Sequence, residues 1–321
     1  MSNPIITFDN VVKVFPGCAT PAVDHVTLNV EEGSIVTILG TSGSGKTTLL
    51  KLVNRLYDLT SGTIKYRGDD IRDLPEAGLR RKLGYVIQQS GLFPHKTVKE
   101  NIATVPKILK WDKQKIDARI DELMELVRIE PEYKNRFPRK LSGGQQQRVS
   151  VARALAAEPD VLLMDEPFGA IDVITREILQ NELLILHKRL GTTILFVTHS
   201  VQEAFKLGRQ VMIMDAGKVQ QEGTPFEILS SPANEFVRQL VSTDSFYDRL
   251  RVLRVMDFAE EAGDQERLHV HTIDGDALLS EALQSFITSG SEYLTVPDES
   301  GKPCAKLTFD TIKRLTLLEG D

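Results

Sequence analysis

A glycine-rich loop between an apolar segment and a helical segment constrains the fold of this chain more than any other feature. The loop GTSGSGKTT covers residues 40–48 and directly follows the β-rich run SIVTILG. It matches the pattern G-x-x-x-x-G-K-[ST], in which glycines let backbone N–H groups turn toward one point at a helix N-terminus. Loops of this kind hold phosphate groups, so we expect a phosphate-binding α/β domain.

Each residue type in this loop has a chemical reason to be there. Lys46 is placed to reach the β- and γ-phosphates of a nucleotide, which also makes it a candidate catalytic residue, and the Thr47 hydroxyl oxygen can bind Mg²⁺. The predicted nucleotide-binding residues of the loop are Gly40, Thr41, Ser42, Gly43, Ser44, Gly45, Lys46, Thr47 and Thr48.

A second chemical feature is the segment VLLMDEP at residues 161–167. An apolar strand that ends in a carboxylate beside a phosphate loop can hold Mg²⁺, which we assign to Asp165. The adjacent Glu166 can act as the general base toward an attacking water. No Asn-Lys-x-Asp sequence for reading guanine is present, which favours ATP over GTP.

The secondary-structure pattern places these motifs in an α/β domain with a largely parallel sheet. Alternating strands near the N-terminus predict an added antiparallel β subdomain, and a helix is expected over residues 46–56. Short apolar runs at 82–88, 160–164 and 192–199 read as strands. Helical patterns lie between them, at 113–127 and 176–190.

Composition and sequence patterns argue against several other classes of protein. No run of 18 apolar residues is present, and the first 15 residues lack the pattern of a secretory signal. Cys18 and Cys304 have no metal-ligand spacing, so reduced cytosolic thiols are expected rather than a disulfide. Net charge is −6 and no dense basic face is evident, which argues against nucleic acid as a partner. These features predict a cytoplasmic protein.

The octapeptide LSGGQQQR at residues 141–148 distinguishes among the families that have such a phosphate loop, because it resembles the signature motif of ATP-binding cassette (ABC) ATPases. Ser142, Gly143 and Gly144 offer a hydroxyl group and a backbone that a ligand can approach closely at a helix N-terminus, which is a second anion site. Gln145 completes the predicted nucleotide-binding residues of this motif. In this family the motif faces the γ-phosphate held by a partner's phosphate loop. The resemblance therefore implies a homodimer with two ATP molecules between its subunits, and Mg²⁺ as a further cofactor.

Further positions match the family pattern one at a time. Gln88 corresponds to the glutamine that contacts Mg²⁺ and the attacking water, and His199 to the switch histidine at the γ-phosphate. Phe15 corresponds to the aromatic residue that stacks on adenine. Asp172 corresponds to an aspartate that communicates across the dimer, although Ile171 precedes it where the family has leucine.

One uninterrupted cassette without membrane spans resembles the separate ATPase subunit of an importer. The resemblance implies integral membrane permease subunits, contacted through residues 91–106, and an extracytoplasmic solute-binding protein as an indirect partner. The protein would then be peripheral at the cytoplasmic face of the membrane. Segments such as PFGAIDVITREILQNELL resemble importers of glycine betaine, carnitine and choline. Importers of methionine or other amino acids, and a soluble ATP-switched regulator, are alternatives.

The pattern changes near residue 240, so we predict a nucleotide-binding domain at 1–240 and a C-terminal region at 241–321. This region has 8 Lys and Arg against 16 Asp and Glu. A helix over 245–263, a strand LHVHTI, a helix, a hairpin at 293–309 and a final helix at 310–320 are expected. The strand, helix, two hairpin strands and final helix at about 268–318 resemble one cystathionine-β-synthase-type (CBS) module, which implies pairing with a second copy. A regulatory role and a remnant that covers apolar surface are both open.

Overall fold

The computed structural model describes residues 4–88, 91–169, 171–242, 250–261, 271–298 and 301–312. The chain folds as two compact units, Met1–Glu222 and Gly223–Asp321. The helices that follow residue 223 therefore belong to the second unit, although the sequence pattern changes only near residue 240. The functional boundary at residue 240 stays a prediction.

The antiparallel subdomain contains four strands, and the prediction of antiparallel strands at the N-terminus is confirmed. The strands are β1 (Pro4–Lys13), β2 (Val23–Glu31), β4 (Ser61–Tyr66) and β5 (Asp69–Asp70), in the order β2-β1-β4-β5. Each neighbouring pair is antiparallel. Alternate residues of β2 are buried, as expected for a sheet with one face on the core.

The central sheet has six strands in the order β10-β9-β3-β8-β7-β6. The pairs from β6 to β9 are parallel, and β3, β7 and β8 are buried along their whole length. In a parallel sheet the carboxyl ends of the strands meet at one edge, where ligands bind. The strand bounds are β3 (Ile35–Gly40), β6 (Leu83–Val86), β7 (Val161–Asp165), β8 (Thr193–Thr198), β9 (Gln210–Asp215) and β10 (Lys218–Gly223).

Helices connect and cover these strands. Helix α1 ends at Val53 rather than at the predicted residue 56, because Arg55 has a left-handed backbone with φ of 50° that cannot continue a helix. The bounds are α1 (Lys46–Val53), α2 (Glu76–Lys82), α3 (Val98–Ile102), α4 (Thr104–Ile108), α5 (Lys113–Leu126), α6 (Gly143–Leu155), α7 (Val173–Leu190) and α8 (Val201–Leu207). No helix among the described residues is long and apolar enough to cross a membrane.

In its described part, the second unit contains a small sheet, three α-helices with defined bounds and helical residues at 309–312, where the predicted final helix begins. The three helices are α9 (Pro225–Ser230), α10 (Glu235–Val241) and α11 (Leu279–Ser289), with β11 (Glu260–Glu261), β12 (Tyr293–Pro297) and β13 (Pro303–Thr308). The sheet order is β11-β13-β12, and the antiparallel pairing of β12 with β13 confirms the predicted hairpin.

The predicted helix over 245–263 is wrong for residues 251–261. Residues 255–257 form a single 3₁₀ turn and residues 260–261 pair with β13, so strand pairing in the folded unit overrides the local helical pattern. Residues 243–249 and 262–263 lie outside the described part of the chain. The same holds for residues 268–270 of the predicted strand and 313–320 of the predicted final helix.

Candidate nucleotide-binding site

The phosphate loop connects the end of β3 to the start of α1, as its sequence predicts. Gly43 and Gly45 have positive φ angles of 80° and 101°. Two features exclude a side chain at Gly45. Its positive φ disfavours any residue other than glycine, and an added Cβ would lie 2.2 Å from the carbonyl oxygen of Ala22. The loop backbone is therefore held close to the segment that precedes β2 and open on its other side.

Lys46 lies against this loop, and its side chain is only 4% exposed. Its Nζ donates hydrogen bonds to the Gly40 oxygen at 2.9 Å, the Thr41 oxygen at 2.7 Å and Ser44 Oγ at 3.3 Å. Burial lowers the pKa of the Lys46 ammonium group, and the nearby Glu166 and Asp165 carboxylates oppose that shift. The Lys46 side chain is thus fixed at the base of the loop by three oxygen atoms of the loop itself.

Two side-chain oxygen atoms that could bind a metal ion, those of Thr47 and Asp165, lie close together beside the loop. The Thr47 hydroxyl donates to Asp165 Oδ1 at 2.7 Å, and Asp165 is 6% exposed. Burial raises the pKa of Asp165, and the Thr47 hydrogen bond partly offsets that increase. Hydroxyl and carboxylate oxygens are ligands that Mg²⁺ prefers, and it takes its remaining ligands from phosphates and water. The donor set therefore fits Mg²⁺ bound together with a nucleotide.

Glu166 lies at the centre of a group of three side chains. Its Oε2 is 3.1 Å from Gln88 Nε2 and 3.1 Å from His199 Nδ1. Glu166 itself has a left-handed backbone with φ of 44°, a conformation that costs free energy in a residue other than glycine and often occurs at functional sites. Its backbone N–H donates to the Val197 oxygen of β8 at 3.0 Å, which helps to maintain this turn.

A cleft of about 570 Å³ brings these residues to the phosphate loop. The cleft joins the loop to the group formed by Gln88, Glu166 and His199. The lining residues are Ala22, Ser42, Gly43, Ser44, Gly45, Lys46, Thr47, Thr48, Gln88, Glu166 and His199. Thr41 does not line the cleft, and its hydroxyl donates to Asp215 at 3.2 Å.

The signature residues do not line this cleft. Ser142 caps α6 and forms a reciprocal capping box with Gln145, in which each side chain bonds the other's backbone N–H. Gly143 is exposed, and a Cβ added there would meet no atom within 4 Å. Gly144 is buried, with an added Cβ 2.7 Å from Thr175 Cγ2. One glycine is thus needed for packing within the chain, whereas the other leaves open backbone.

Asp172 and Phe15 also lie outside the cleft lining. Asp172 caps α7 by accepting the Thr175 backbone N–H at 3.0 Å, and this hydrogen bond lowers the pKa of Asp172. The Phe15 ring meets Tyr57 edge to face, with 5.1 Å between ring centroids, and Lys13 Nζ lies 5.1 Å from the same ring. Phe15 is therefore available as a planar surface that Tyr57 supports.

Sequence reasoning missed two tyrosines around the site. Tyr57 contacts Phe15, and the Tyr85 hydroxyl lies 3.5 Å from Asp165 Oδ2. Neither tyrosine belongs to a motif, and each follows from packing between separate elements.

Sequence reasoning also missed Gln180 and Glu203, which form a buried pair near His199. The available signal was a polar residue on an otherwise apolar helix face, since Gln180 shares the buried side of α7 with Leu179 and Leu183.

The fold and the cleft define the class of protein, and comparison with known proteins agrees. Residues 23–169 match the family model described as ABC transporter. The glycine betaine uptake system ATP-binding protein YehX of Escherichia coli strain K12 is 48% identical over 309 residues, which cover 96% of this chain and 99% of that protein. The chain therefore belongs to the ABC transporter ATP-binding proteins and is an ABC-type ATPase.

Two further similarities describe its position within the family. The glycine betaine/carnitine/choline transport ATP-binding protein OpuCA of Bacillus subtilis strain 168 is 44% identical, over 92% of this chain and 76% of that one. A solved dimeric post-hydrolysis state of the ATP-binding cassette MJ0796, bound to ADP and Pi, is 34% identical with a TM-score of 0.62. It covers 68% of this chain and 98% of that one.

Proposed function

We propose that this chain is the ATP-hydrolysing subunit of an importer for quaternary-amine osmoprotectants such as glycine betaine, carnitine and choline. The observation that carries the proposal is the 48% identity to a glycine betaine uptake protein over nearly the full length of both chains. Permease subunits would hold the protein at the cytoplasmic face of the membrane through residues 91–106. An extracytoplasmic solute-binding protein would deliver the solute to those permeases.

The residues in and beside the cleft would each have a separate role in ATP hydrolysis. Lys46 and the backbone N–H groups of the loop would bind the β- and γ-phosphates. Thr47 and Asp165, together with Gln88, would hold Mg²⁺, which supplies positive charge to the phosphate oxygens. Glu166 would accept a proton from the attacking water. Its contacts with Gln88 and His199 restrict the orientation of the carboxylate that would receive that proton.

The second half of each site would come from a second copy of the chain. Ser142, Gly143, Gly144 and Gln145 lie outside the chain's own cleft, and Gly143 exposes bare backbone at the start of α6. A helix N-terminus with exposed N–H groups suits a phosphate of the partner's nucleotide. Phe15 would stack on adenine, and Asp172, at the start of α7, would lie near the dimer interface. ATP would then close the dimer, and hydrolysis would open it.

The C-terminal residues would form one CBS-like module that pairs with its counterpart in the second chain. Helix α11 and the β12–β13 hairpin match the middle of the expected module. Deleting residues 245–321 should weaken self-association and reduce the response of transport to ionic strength. If both properties are unchanged in the truncated protein, the segment is only a cover for apolar surface.

The decisive experiment reconstitutes the chain in proteoliposomes with the permease subunits and solute-binding protein encoded beside it. Glycine betaine, carnitine or choline should stimulate ATP hydrolysis and accumulate in the vesicles, whereas methionine should do neither. Glu166→Gln is the matched control, because it should abolish both signals without preventing assembly. Stimulation by methionine alone would favour an amino-acid importer. Failure to co-purify with any integral membrane protein would favour a soluble ATP-switched regulator.

A further inference from the structure

A buried polar cluster lies behind the turn that carries His199. It consists of Thr198 at the end of β8, Glu203 in α8 and Gln180 in α7, which are 1%, 4% and 7% exposed. The Thr198 hydroxyl donates to Glu203 Oε2, and Gln180 Nε2 donates to Glu203 Oε1 at 3.0 Å. All three lie outside the lining of the nucleotide cleft. Both oxygens of one carboxylate are thus occupied by donors from two other elements.

The cluster holds the chain on both sides of His199. Thr198 Oγ1 accepts the backbone N–H of Ser200 at 3.0 Å, so the two neighbours of His199 are joined to each other. Ser200 Oγ in turn accepts the backbone N–H of Glu203 at 3.3 Å. These bonds close the turn around His199, and its ring reaches Glu166 at 3.1 Å.

The same carboxylate joins this turn to helix α7. Gln180 lies on the buried side of α7, two helical turns after the Asp172 cap. A carboxylate withdrawn from water costs free energy that an apolar side chain of similar volume would not. Packing alone therefore does not account for Glu203. The presence of a glutamate at this buried position is explained by its two oxygens, which accept hydrogen bonds from Thr198 and Gln180 at the same time.

We propose that Glu203 and Gln180 are positioning residues for ATP hydrolysis, which set the His199 turn and tie its position to helix α7. This inference rests on the role proposed for His199 at Glu166. Neither residue would touch the nucleotide. Their effect would be on the rate of hydrolysis and not on the affinity for ATP, since the phosphate loop is formed by other residues.

Glu203→Gln is the first variant because it retains the volume of the side chain and replaces the carboxylate, with its two acceptor oxygens, by a neutral amide. The new amide oxygen can accept from Thr198 while its nitrogen faces Gln180, whose amide must then turn over to accept, so both hydrogen bonds to a charged carboxylate are lost. We expect kcat for ATP hydrolysis to fall about tenfold or more, with KM for ATP unchanged within twofold. Glu177→Gln, an exposed charge change on α7, is the matched control and should leave both constants unchanged.

The double variant Gln180→Glu with Glu203→Gln tests whether the hydrogen bond between residues 180 and 203 is what matters. It also keeps the proposal testable if the single variant Glu203→Gln folds poorly. It exchanges the two side chains between the helices, so the carboxylate on α7 can accept from the amide nitrogen on α8. The amide oxygen on α8 then accepts from Thr198. We expect kcat to recover to within about threefold of the starting protein. Kinetics that stay as poor as those of Glu203→Gln would overturn the proposed bridge.

A cycle with His199→Ala distinguishes positioning from general structural damage. If the cluster acts through His199, Glu203→Gln should lower the remaining single-turnover rate of His199→Ala by less than about twofold. A full additional loss would overturn action through His199 and leave the importer function untouched. If His199→Ala hydrolyses ATP at the normal rate, both this inference and the proposed role of His199 fail, while solute-stimulated transport would still support the importer.

Discussion

The exposed glycine at the start of α6 offers the sharpest test of a site shared between two copies. Gly143 does not have a left-handed backbone, and an added Cβ meets no atom of its own chain within 4 Å. Gly143→Ala should therefore leave the isolated chain folded. Its free energy of unfolding should be unchanged or higher by at most about 1 kcal/mol, because alanine loses less backbone entropy than glycine in a helix.

The expected effect on the dimer is much larger. A methyl group at residue 143 would separate the partner's γ-phosphate from the backbone N–H groups of α6. A hydrogen bond to a charged group contributes about 1.5–3 kcal/mol. A two-fold dimer repeats every contact, so two losses amount to roughly 3–6 kcal/mol. The dimer dissociation constant should therefore rise at least about a hundredfold, at about 1.4 kcal/mol for each factor of ten.

Sedimentation velocity with Mg²⁺ and ATP measures this constant directly. The experiment uses the Glu166→Gln background, in which ATP should persist and the dimer accumulate. Gly144→Ala is the matched control for crowding inside the chain, because its Cβ would lie 2.7 Å from Thr175 Cγ2. That variant should lower the thermal unfolding temperature as well as dimerisation, whereas Gly143→Ala should lower dimerisation alone.

Two results would refute this reasoning. Normal ATP-dependent dimerisation of Gly143→Ala would mean that no phosphate of the partner approaches this backbone. A large loss of stability in the isolated Gly143→Ala chain would mean that residue 143 is needed for packing, so that weaker dimerisation would carry no information about the interface. Measuring ATP binding to the monomer with a fluorescent analogue separates both results from damage to the phosphate loop.

Three further changes test the chain's own half of the site. Glu166→Gln should lower phosphate release by about 10²–10⁴-fold, the usual contribution of a general base, while ATP binding measured by calorimetry persists; appreciable residual turnover would contradict that role. Gly45→Ala should abolish ATP binding in the same calorimetric assay, because φ of 101° and a 2.2 Å approach to the Ala22 oxygen cannot both be accommodated; normal affinity would contradict the loop geometry. Asp165→Asn should eliminate Mg²⁺-dependent turnover. It should also raise the unfolding temperature of the nucleotide-free protein at neutral pH, and a lower unfolding temperature than that of the starting protein would contradict this expectation.

The pH dependence of the Asp165 effect follows from the sign of its pKa shift. Burial raises the pKa of Asp165 in the folded protein above its usual value. The folded state therefore binds this proton more tightly than the unfolded state does, so the stability linked to protonation is present at low pH and lost as pH rises through the raised pKa. The advantage of Asp165→Asn should stay constant from neutral pH down to the raised pKa, and it should shrink as pH falls further toward the ordinary pKa of an aspartate. An advantage that grows over this range would contradict burial as the cause.

Most of the cassette could be predicted because its signals are local. The phosphate loop, the strand ending in Asp165 and the helix capped by Ser142 each carry their own residue types at fixed spacing. The apolar runs of β3, β7 and β8 are continuous because both faces are buried. Gln88, Glu166 and His199 come from three separate strand ends. Their meeting follows from the parallel sheet and not from any one segment.

The second unit was harder to predict because long-range pairing decides its structure. Residues 251–261 have the apolar spacing of a helix, yet β11 forms there by pairing with β13, more than about 40 residues later in the chain. A local pattern cannot report such a partner. The hairpin of β12 and β13 was predictable, by contrast, because its two strands are close in sequence and joined by a turn around Gly301, which has φ of 79°.

The residues that orient the site were missed for a different reason. A motif records which side chains meet the nucleotide, but their orientation depends on neighbours that no motif contains. Gln180 and Glu203 are 23 residues apart on two helices, and their bond is visible only once both helices are packed. Each is nevertheless a polar residue on an apolar face, and a buried donor requires a buried acceptor. An unexplained polar residue on a core-facing helix stripe near a motif is therefore evidence for an unseen partner, and Gln180 predicts an acceptor such as Glu203 before the structure is known.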